Sequence, residues 1–244
     1  MTPRAARTNI NDSKVIKQIA VQAAGLKHMQ DLSQSKPRWE RRKDARPQEL
    51  LAAALDLFVD RGFAATRLED VAKRAGVSKG TLYLYFENKE ELFKAVVREN
   101  IVHVIGVAEV QFAVSDESSP ALLKAMLTHW WEQVGATRLA GITKLLMAES
   151  GNFPELRRFH NEEVIARGNS LIARVIERGI ARGEFRPVNA PLITMVLIAP
   201  VLMLTMWTHS FLPCEMPDLD PDAYMREFIE LSLRGLRPDP APAG

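Results

Sequence analysis

The segment Gly76-Val77-Ser78-Lys79-Gly80-Thr81-Leu82-Tyr83-Leu84-Tyr85-Phe86 constrains the fold of this chain more than any other. Gly76 reads as the stop of one helix, because the left-handed conformation that closes a helix costs glycine nothing. Ser78 reads as the cap of the next, with a side chain able to accept from the first free N–H groups. Leu82 and Phe86 lie four apart and face inward, which leaves Lys79, Thr81 and Tyr85 pointing out. Gly80 is a poor helix former one turn into a short helix, so its presence points to close approach of the backbone to a partner. Small, hydroxylated, basic and aromatic side chains on one exposed face make a surface for nucleic acid.

The preceding residues complete a pair of helices. Thr66-Arg67-Leu68-Glu69 has capping-box spacing, and Leu68, Val71, Ala72 and Ala75 follow at i, i+3, i+4 and i+7. Periodicity alone leaves two readings open, a helix-turn-helix that enters the major groove or an ordinary αα-hairpin. Residue identity separates them. The run TRLEDVAKRAGVSKGTLYLYFENKEEL, beginning at Thr66, resembles the DNA-binding signature of the TetR/AcrR family of transcriptional regulators, and the likeness is nearly continuous from Arg46 to about Val97. The resemblance implies an all-α chain, in which a three-helix DNA-binding head precedes a helical domain that binds ligand and dimerises. It also implies that Ser78, Lys79, Gly80 and Thr81 approach bases and phosphates, and that Tyr83 and Tyr85 pack against or bond to phosphates. Lys89 would hold a phosphate at the start of the fourth helix, and Thr66 and Arg67 would grip the DNA backbone. Arg46 adds a phosphate contact at the start of the first helix. Leu84 stands where the family often has histidine or tryptophan, which leaves position 84 a thymine-methyl contact or plain packing.

With 244 residues, 47% of them hydrophobic, the chain fills one or two globular domains. Its single cysteine, Cys214, allows no internal disulfide, and its five histidines show no metal spacing, so neither metal nor cofactor is expected and a reducing cytoplasm fits. The net charge of +2 hides an asymmetry: residues 1–46 carry 11 Lys and Arg against 4 Asp and Glu, whereas residues 107–244 carry 13 against 17. The start lacks the apolar core of a signal peptide, which argues against export. Val15, Ile16, Ile19, Ala20, Ala23, Leu26 and Met29 recur at helical spacing and predict an amphipathic helix between about Asp12 and Asp31. Two readings stand for this extension: a docked extra helix, or residues upstream of a true start at Met29. The run Lys36-Pro37-Arg38-Trp39-Glu40-Arg41-Arg42-Lys43 leaves two readings, a basic arm that neutralises phosphates or enters a minor groove, or a solvated tail.

Pro47 suits the first turn of helix one, whose stripe of Leu51, Ala54, Leu55 and Phe58 ends at Gly62. Asn88-Lys89-Glu90-Glu91 is a second capping pattern and launches a long helix to about residue 113. Breaks at Ser118-Ser119-Pro120, Gly135, Gly151 to Pro154, Arg186-Pro187 and Pro213 to Pro221 then divide the rest into five helices, near 120–135, 137–149, 154–182, 189–211 and 221–236. The expected organisation is a basic extension (1–45), the head (46–92), the effector-binding and dimerisation domain (93–236) and a disordered tail (237–244).

The most apolar stretch, Leu192 to Trp207, is shorter than a bilayer span needs and carries Pro200, so it reads as a buried helix. Being apolar nearly all round, it needs partners on several sides, and a two-fold seam shared with the last helix supplies them. Large, adaptable side chains in the body suit an apolar effector, and Trp130, Trp131, Met147, Phe159, Met195, Met203 and Trp207 are the candidate lining. No nucleophile with a base, carboxylate pair or phosphate-binding glycine loop is present, so the chain does not read as an enzyme. The expectation is a homodimeric regulator, a repressor by family habit, that binds a pseudo-palindromic DNA operator and is released by a small effector. The alternative is a dimeric DNA-binding or architectural protein that needs no effector.

Overall fold

Leu50, Leu51, Ala54, Leu57 and Phe58 recur three and four residues apart and bury one side of the first helix, α1 (Arg38–Ala65). The structure is a computed structural model and describes residues 38–149, 151–211 and 219–238. The amphipathic stretch 12–31, Cys214, the side chain of Arg46 and the tail from 239 lie outside the described residues. Helix α1 starts nine residues earlier than Pro47, which sits inside it. The segment Arg38 to Arg46 is therefore helical backbone. Its Arg, Glu, Lys and Ala residues are good helix formers, and they offset the lost backbone bond and the crowding of the preceding turn that Pro47 brings. Gly62 breaks α1 with φ 82°, as its residue type allows, and Phe63–Ala65 makes one further turn.

Helix α2 (Leu68–Arg74) starts one residue later than the capping pattern implies: Arg67 is at the cap position and its side chain makes no capping bond. Thr66 is buried instead, and its hydroxyl donates to the carbonyls of Gly62 at 2.7 Å and Leu57 at 3.1 Å. Its side chain holds the corner between α1 and α2, with its hydroxyl committed to these two carbonyls. Gly76, at φ 67°, closes α2, with Gly76 N–H donating to Lys73 O and Val77 N–H to Ala72 O, both bonds of a Schellman close. Helix α3 (Lys79–Tyr83) follows, capped by Ser78 Oγ accepting from Thr81 N–H at 3.1 Å.

Helix α4 (89–114) is launched by Asn88, which accepts from Glu91 N–H at 2.8 Å. It runs as Lys89–Val97, a wider π turn at Arg98–Val102, and His103–Val114. Helices α5 (119–135), α6 (Ala140–Glu149), α7 (154–181), α8 (190–211) and α9 (Pro221–Leu236) complete the described residues, which contain no strand. These bounds fall within three residues of those expected from the breaks in the sequence.

Two apolar cores result. The first joins α1, α2, α3 and α4 to α6 and the start of α7, around an aromatic cluster in which Phe63 lies 5.7 Å from Phe58, 5.4 Å from Phe93 and 4.7 Å from Phe153 between ring centres. Gly141 on α6 lies so close to α1 that an added Cβ would sit 2.7 Å from a Val59 methyl. On the rim Arg138 pairs with Asp60 at 2.7 Å and with Asp56 at 3.6 Å. The second core gathers α5, α7, α8 and α9, with Trp131 Nε1 donating to Asp222 at 2.8 Å. Helix α8 is apolar all round, but only one side is covered: Leu197, Val201 and Leu204 are buried, whereas Leu192, Met195, Val196 and Met203 are exposed. Its buried Thr194 and Thr205 hydroxyls donate to the carbonyls four residues back, so the covered side carries no unpaired hydroxyl.

Lys89 is directed into the protein. Its ammonium donates to Phe63 O at 2.7 Å and Ala64 O at 3.1 Å and lies 4.5 Å above the Phe63 ring. Burial pulls its pKa below the usual lysine range, with Glu90 and Glu149 acting against that shift. Lys89→Ala is expected to lower the unfolding free energy by about 1–3 kcal/mol, the range for losing such bonds, and to leave the salt dependence of DNA binding unchanged. A shallower salt dependence at an unaltered urea midpoint would return Lys89 to the phosphate contacts.

His160, half-buried at the end of Pro154–His160, has its imidazole pushed below the ordinary value of 6.5 by burial. Below that value the unfolded chain binds a proton that the folded protein resists, so stability is present above pH 6.5 and is lost as pH falls toward the lowered folded value. The melting temperature is expected to fall between about pH 7 and pH 5, and His160→Asn to flatten that fall; an unchanged fall in the variant would exclude His160 as its source.

Candidate nucleic-acid interface

The turn at Gly76 and the cap at Ser78 set α3 so that Leu82 is buried against the first core while the opposite side stays open. Ser78, Lys79, Gly80, Tyr83 and Tyr85 are exposed, and Thr81 is half-exposed. The Ser78 and Thr81 hydroxyls lie 2.8 Å apart, paired with each other at the start of the helix. A Cβ built on Gly80 meets nothing closer than Ser78 Oγ at 3.8 Å, so no packing within the chain requires glycine there. Leu84 is 83% exposed, which removes plain packing as its role. Arg67 is exposed at the N-terminal end of α2.

Of the ten residues expected to contact DNA, the structure brings Arg67, Ser78, Lys79, Gly80, Thr81, Tyr83 and Tyr85 together at α3 and the start of α2. Thr66 and Lys89 are turned to backbone carbonyls, and the side chain of Arg46 is outside the described residues. One residue joins the face that the sequence reading used only as a helix cap. Glu69, on the first turn of α2, accepts from Lys79 at 2.5 Å, and the Lys79 ammonium also lies 5.7 Å from the centre of the Tyr83 ring. The hydrogen bond with Lys79 leads the causes that hold the Glu69 carboxyl below the usual carboxylate range, and the same bond raises Lys79. Ten residues and a turn separate the two, so no helical spacing rule could have paired them.

The seven candidate ligand residues do not converge. Phe159 is buried in the first core with Arg98 5.0 Å above its ring, and Trp131 is buried in the second. Trp207 packs against the second core beside Tyr224, and half-buried Trp130 packs against both cores. Met147, Met195 and Met203 are exposed, at 51%, 65% and 49%, so they line no interior of this chain. A methionine on an apolar helix reads alike in sequence whether its side meets the core or stays uncovered, which is why the periodicity did not separate them. Among the described residues no group of His, Cys, Asp and Glu is placed to hold a metal ion.

The family model for bacterial regulatory proteins of the tetR family matches residues 50–96, and that for the tetracyclin repressor-like C-terminal domain matches residues 121–218. An uncharacterized HTH-type transcriptional regulator of Bacillus subtilis, YfiR, is 30% identical over 155 residues, 63% of this chain and 74% of that protein. The fatty acid metabolism regulator protein of Bacillus subtilis is 29% identical over 147 residues, 59% of this chain and 74% of that one. Among solved structures, the transcriptional regulator FadR from Bacillus subtilis in complex with stearoyl-CoA shares the fold, with a TM-score of 0.66 at 22% identity over 78% of this chain and 99% of that one. The two-helix turn, its open outer side and these relatives together make the chain a member of the tetR family of bacterial regulatory proteins, a DNA-binding transcriptional regulator and not an enzyme.

Proposed function

We propose that this regulator acts as a cytoplasmic homodimer that represses transcription by binding a pseudo-palindromic operator, and that a small, largely apolar effector releases it. The observation that carries the reading is the open side of α3, where Lys79, Gly80, Tyr83 and Tyr85 are presented with no packing role that explains their types, beside the Ser78 and Thr81 hydroxyls that cap the helix. Arg67 contributes at the start of α2, and Arg46 is retained as a phosphate contact on sequence grounds.

The uncovered side of α8 supports the dimer. Leu192, Met195 and Val196 are each at least 60% exposed, and Leu231 on α9 is 73% exposed. A two-fold axis would lay these sides against their copies and place two heads on half-sites about one DNA turn apart, roughly 34 Å. Residues 190–209 are also long and apolar enough to cross a bilayer, but the same helix supplies Leu197, Val201 and Leu204 to the second core. The body, residues 93–236, is where the effector would act, with Trp130, Trp131, Phe159 and Trp207 kept as candidates for its apolar contacts. An acyl chain is the effector class best supported, since a relative is named for fatty acid metabolism and the same fold in FadR holds stearoyl-CoA.

Gly80→Leu is expected to abolish binding to an operator selected from random duplex DNA while leaving the thermal melt unchanged or higher, because Leu favours the helix by about 1 kcal/mol over Gly. Retained affinity would count against approach of the α3 backbone to DNA. Met195→Glu is expected to turn dimer into monomer in sedimentation and to weaken operator binding at least tenfold with the helical content intact, since a charge in an apolar seam costs several kcal/mol. A variant that still sediments as a dimer would place the seam elsewhere.

A further inference from the structure

The exposed side of α3 carries a feature that DNA binding alone does not call for, an acidic group bonded to its lysine. Glu69 and Lys79 are each about half exposed, at 51% and 58% by side chain, so their 2.5 Å contact adds little to stability. Its consequence is positional. A lysine ammonium has three donors on a flexible four-carbon stem. Here one donor is held by Glu69 and the ammonium lies 5.7 Å from the Tyr83 ring centre, so two neighbours restrain it. Glu69 is itself fixed on the first turn of α2, where its own backbone N–H adds to the pull on its carboxylate.

A lysine paired in this way is a poor neutraliser of phosphate, because a phosphate gains a cation only by displacing a carboxylate and then lies beside that carboxylate's charge. It remains suited to a base edge, where one directed N–H meets the O6 or N7 of a guanine and no phosphate charge has to be approached. Resting on the reading that α3 enters the groove, we infer that Glu69 is a specificity-determining positioning residue: it holds Lys79 for a base acceptor and withholds its charge from the phosphates of unrelated DNA. The operator contact keeps the Glu69–Lys79 bond, and non-operator DNA is bound without help from Lys79. Discrimination then comes partly from what the carboxylate refuses.

The test compares the full-length protein with Glu69→Gln, Glu69→Asp, Lys79→Ala and the double variant Glu69→Gln/Lys79→Ala. Each is titrated with an operator selected on the unaltered protein and with poly(dA-dT), which holds no guanine, across a series of salt concentrations. Glu69→Gln is expected to bind poly(dA-dT) about five- to tenfold more tightly near 0.1 M salt, with a logarithmic salt slope steeper by about 0.9, the change for one more phosphate neutralised. It is expected to bind the operator no more tightly, so the ratio of the two affinities falls. The gain on poly(dA-dT) should vanish in the double variant, because Lys79 carries it, and Glu69→Asp, which keeps the charge, should restore most of the ratio. An equal gain on both DNAs, an unchanged slope, or the same gain without Lys79 would each overturn the inference. Failure of the unaltered protein to bind any duplex would instead overturn the docking of α3, a distinct result.

Discussion

Phe63 is the residue on which the arrangement of head and body depends. It follows the break at Gly62, is fully buried, and stands between Phe58 of α1, Phe93 of α4 and Phe153 ahead of α7, so one ring touches three parts of the chain. The contacts with Phe93 and Phe153 are edge-to-face and that with Phe58 is stacked, and such pairs each add about 0.5–1.5 kcal/mol beyond burial. Lys89 bonds to the Phe63 carbonyl and covers the ring, which ties the first residue of α4 to the last turn of α1. The three helices of the head therefore do not form a core of their own. Their apolar side continues into Ile142, Leu145 and Leu146 of α6 and Leu156 and Phe159 of α7. A small head of short helices would bury too little surface alone, and sharing a core with the body removes that deficit.

Sharing has a consequence for movement. Helix α4 is gripped on its inner side by apolar packing and on its outer side by charge. Arg98 makes a two-pronged contact with Glu163 on α7, and Arg167 of α7 pairs with Glu109 further along α4. Both partners of the first pair lie in π turns, where one extra residue widens the helix. These ion pairs face solvent and bind weakly, so they set direction more than strength. The resistance to any tilt of α4 comes from its apolar side, where Leu92, Phe93, Val96 and Val97 are fully buried in the first core.

Much of this was legible in the sequence because it rests on local rules. Gly76 and Ser78 close and open adjacent helices by their own backbone chemistry, Asn88 caps α4 as its type suggests, and the breaks at proline and glycine located the body helices within three residues. What the sequence hid depends on distant partners. Thr66 has the type and spacing of a cap, yet the Gly62 and Leu57 carbonyls reach its hydroxyl first. Lys89 looks like a surface cation, yet the end of α1 presents it with two open carbonyls and a ring. The Met side chains of α8 satisfy helical periodicity equally well facing inward or outward, and the packing of α5, α7 and α9 decides which side is covered.

Trp130 and Trp131 show how neighbouring residues can serve two cores at once. Successive residues on a helix point about 100° apart, and here that rotation sends Trp131 into the second core, where its indole N–H reaches Asp222 of α9, while Trp130 packs against both. The end of the same helix is also tied down, since His209 of α8 bonds to the Gly135 carbonyl, and three residues later Arg138 pairs with Asp56 and Asp60 of α1. Helix α5 thus contacts the proposed dimer helix at its last residue and the head just beyond it. Cores packed at this density do not deform smoothly, so a molecule wedged beside Trp130 would have to displace a helix and not merely a side chain. Helix α4 and helix α3 share the first core, so a shift of α4 is passed to α3 through that packing.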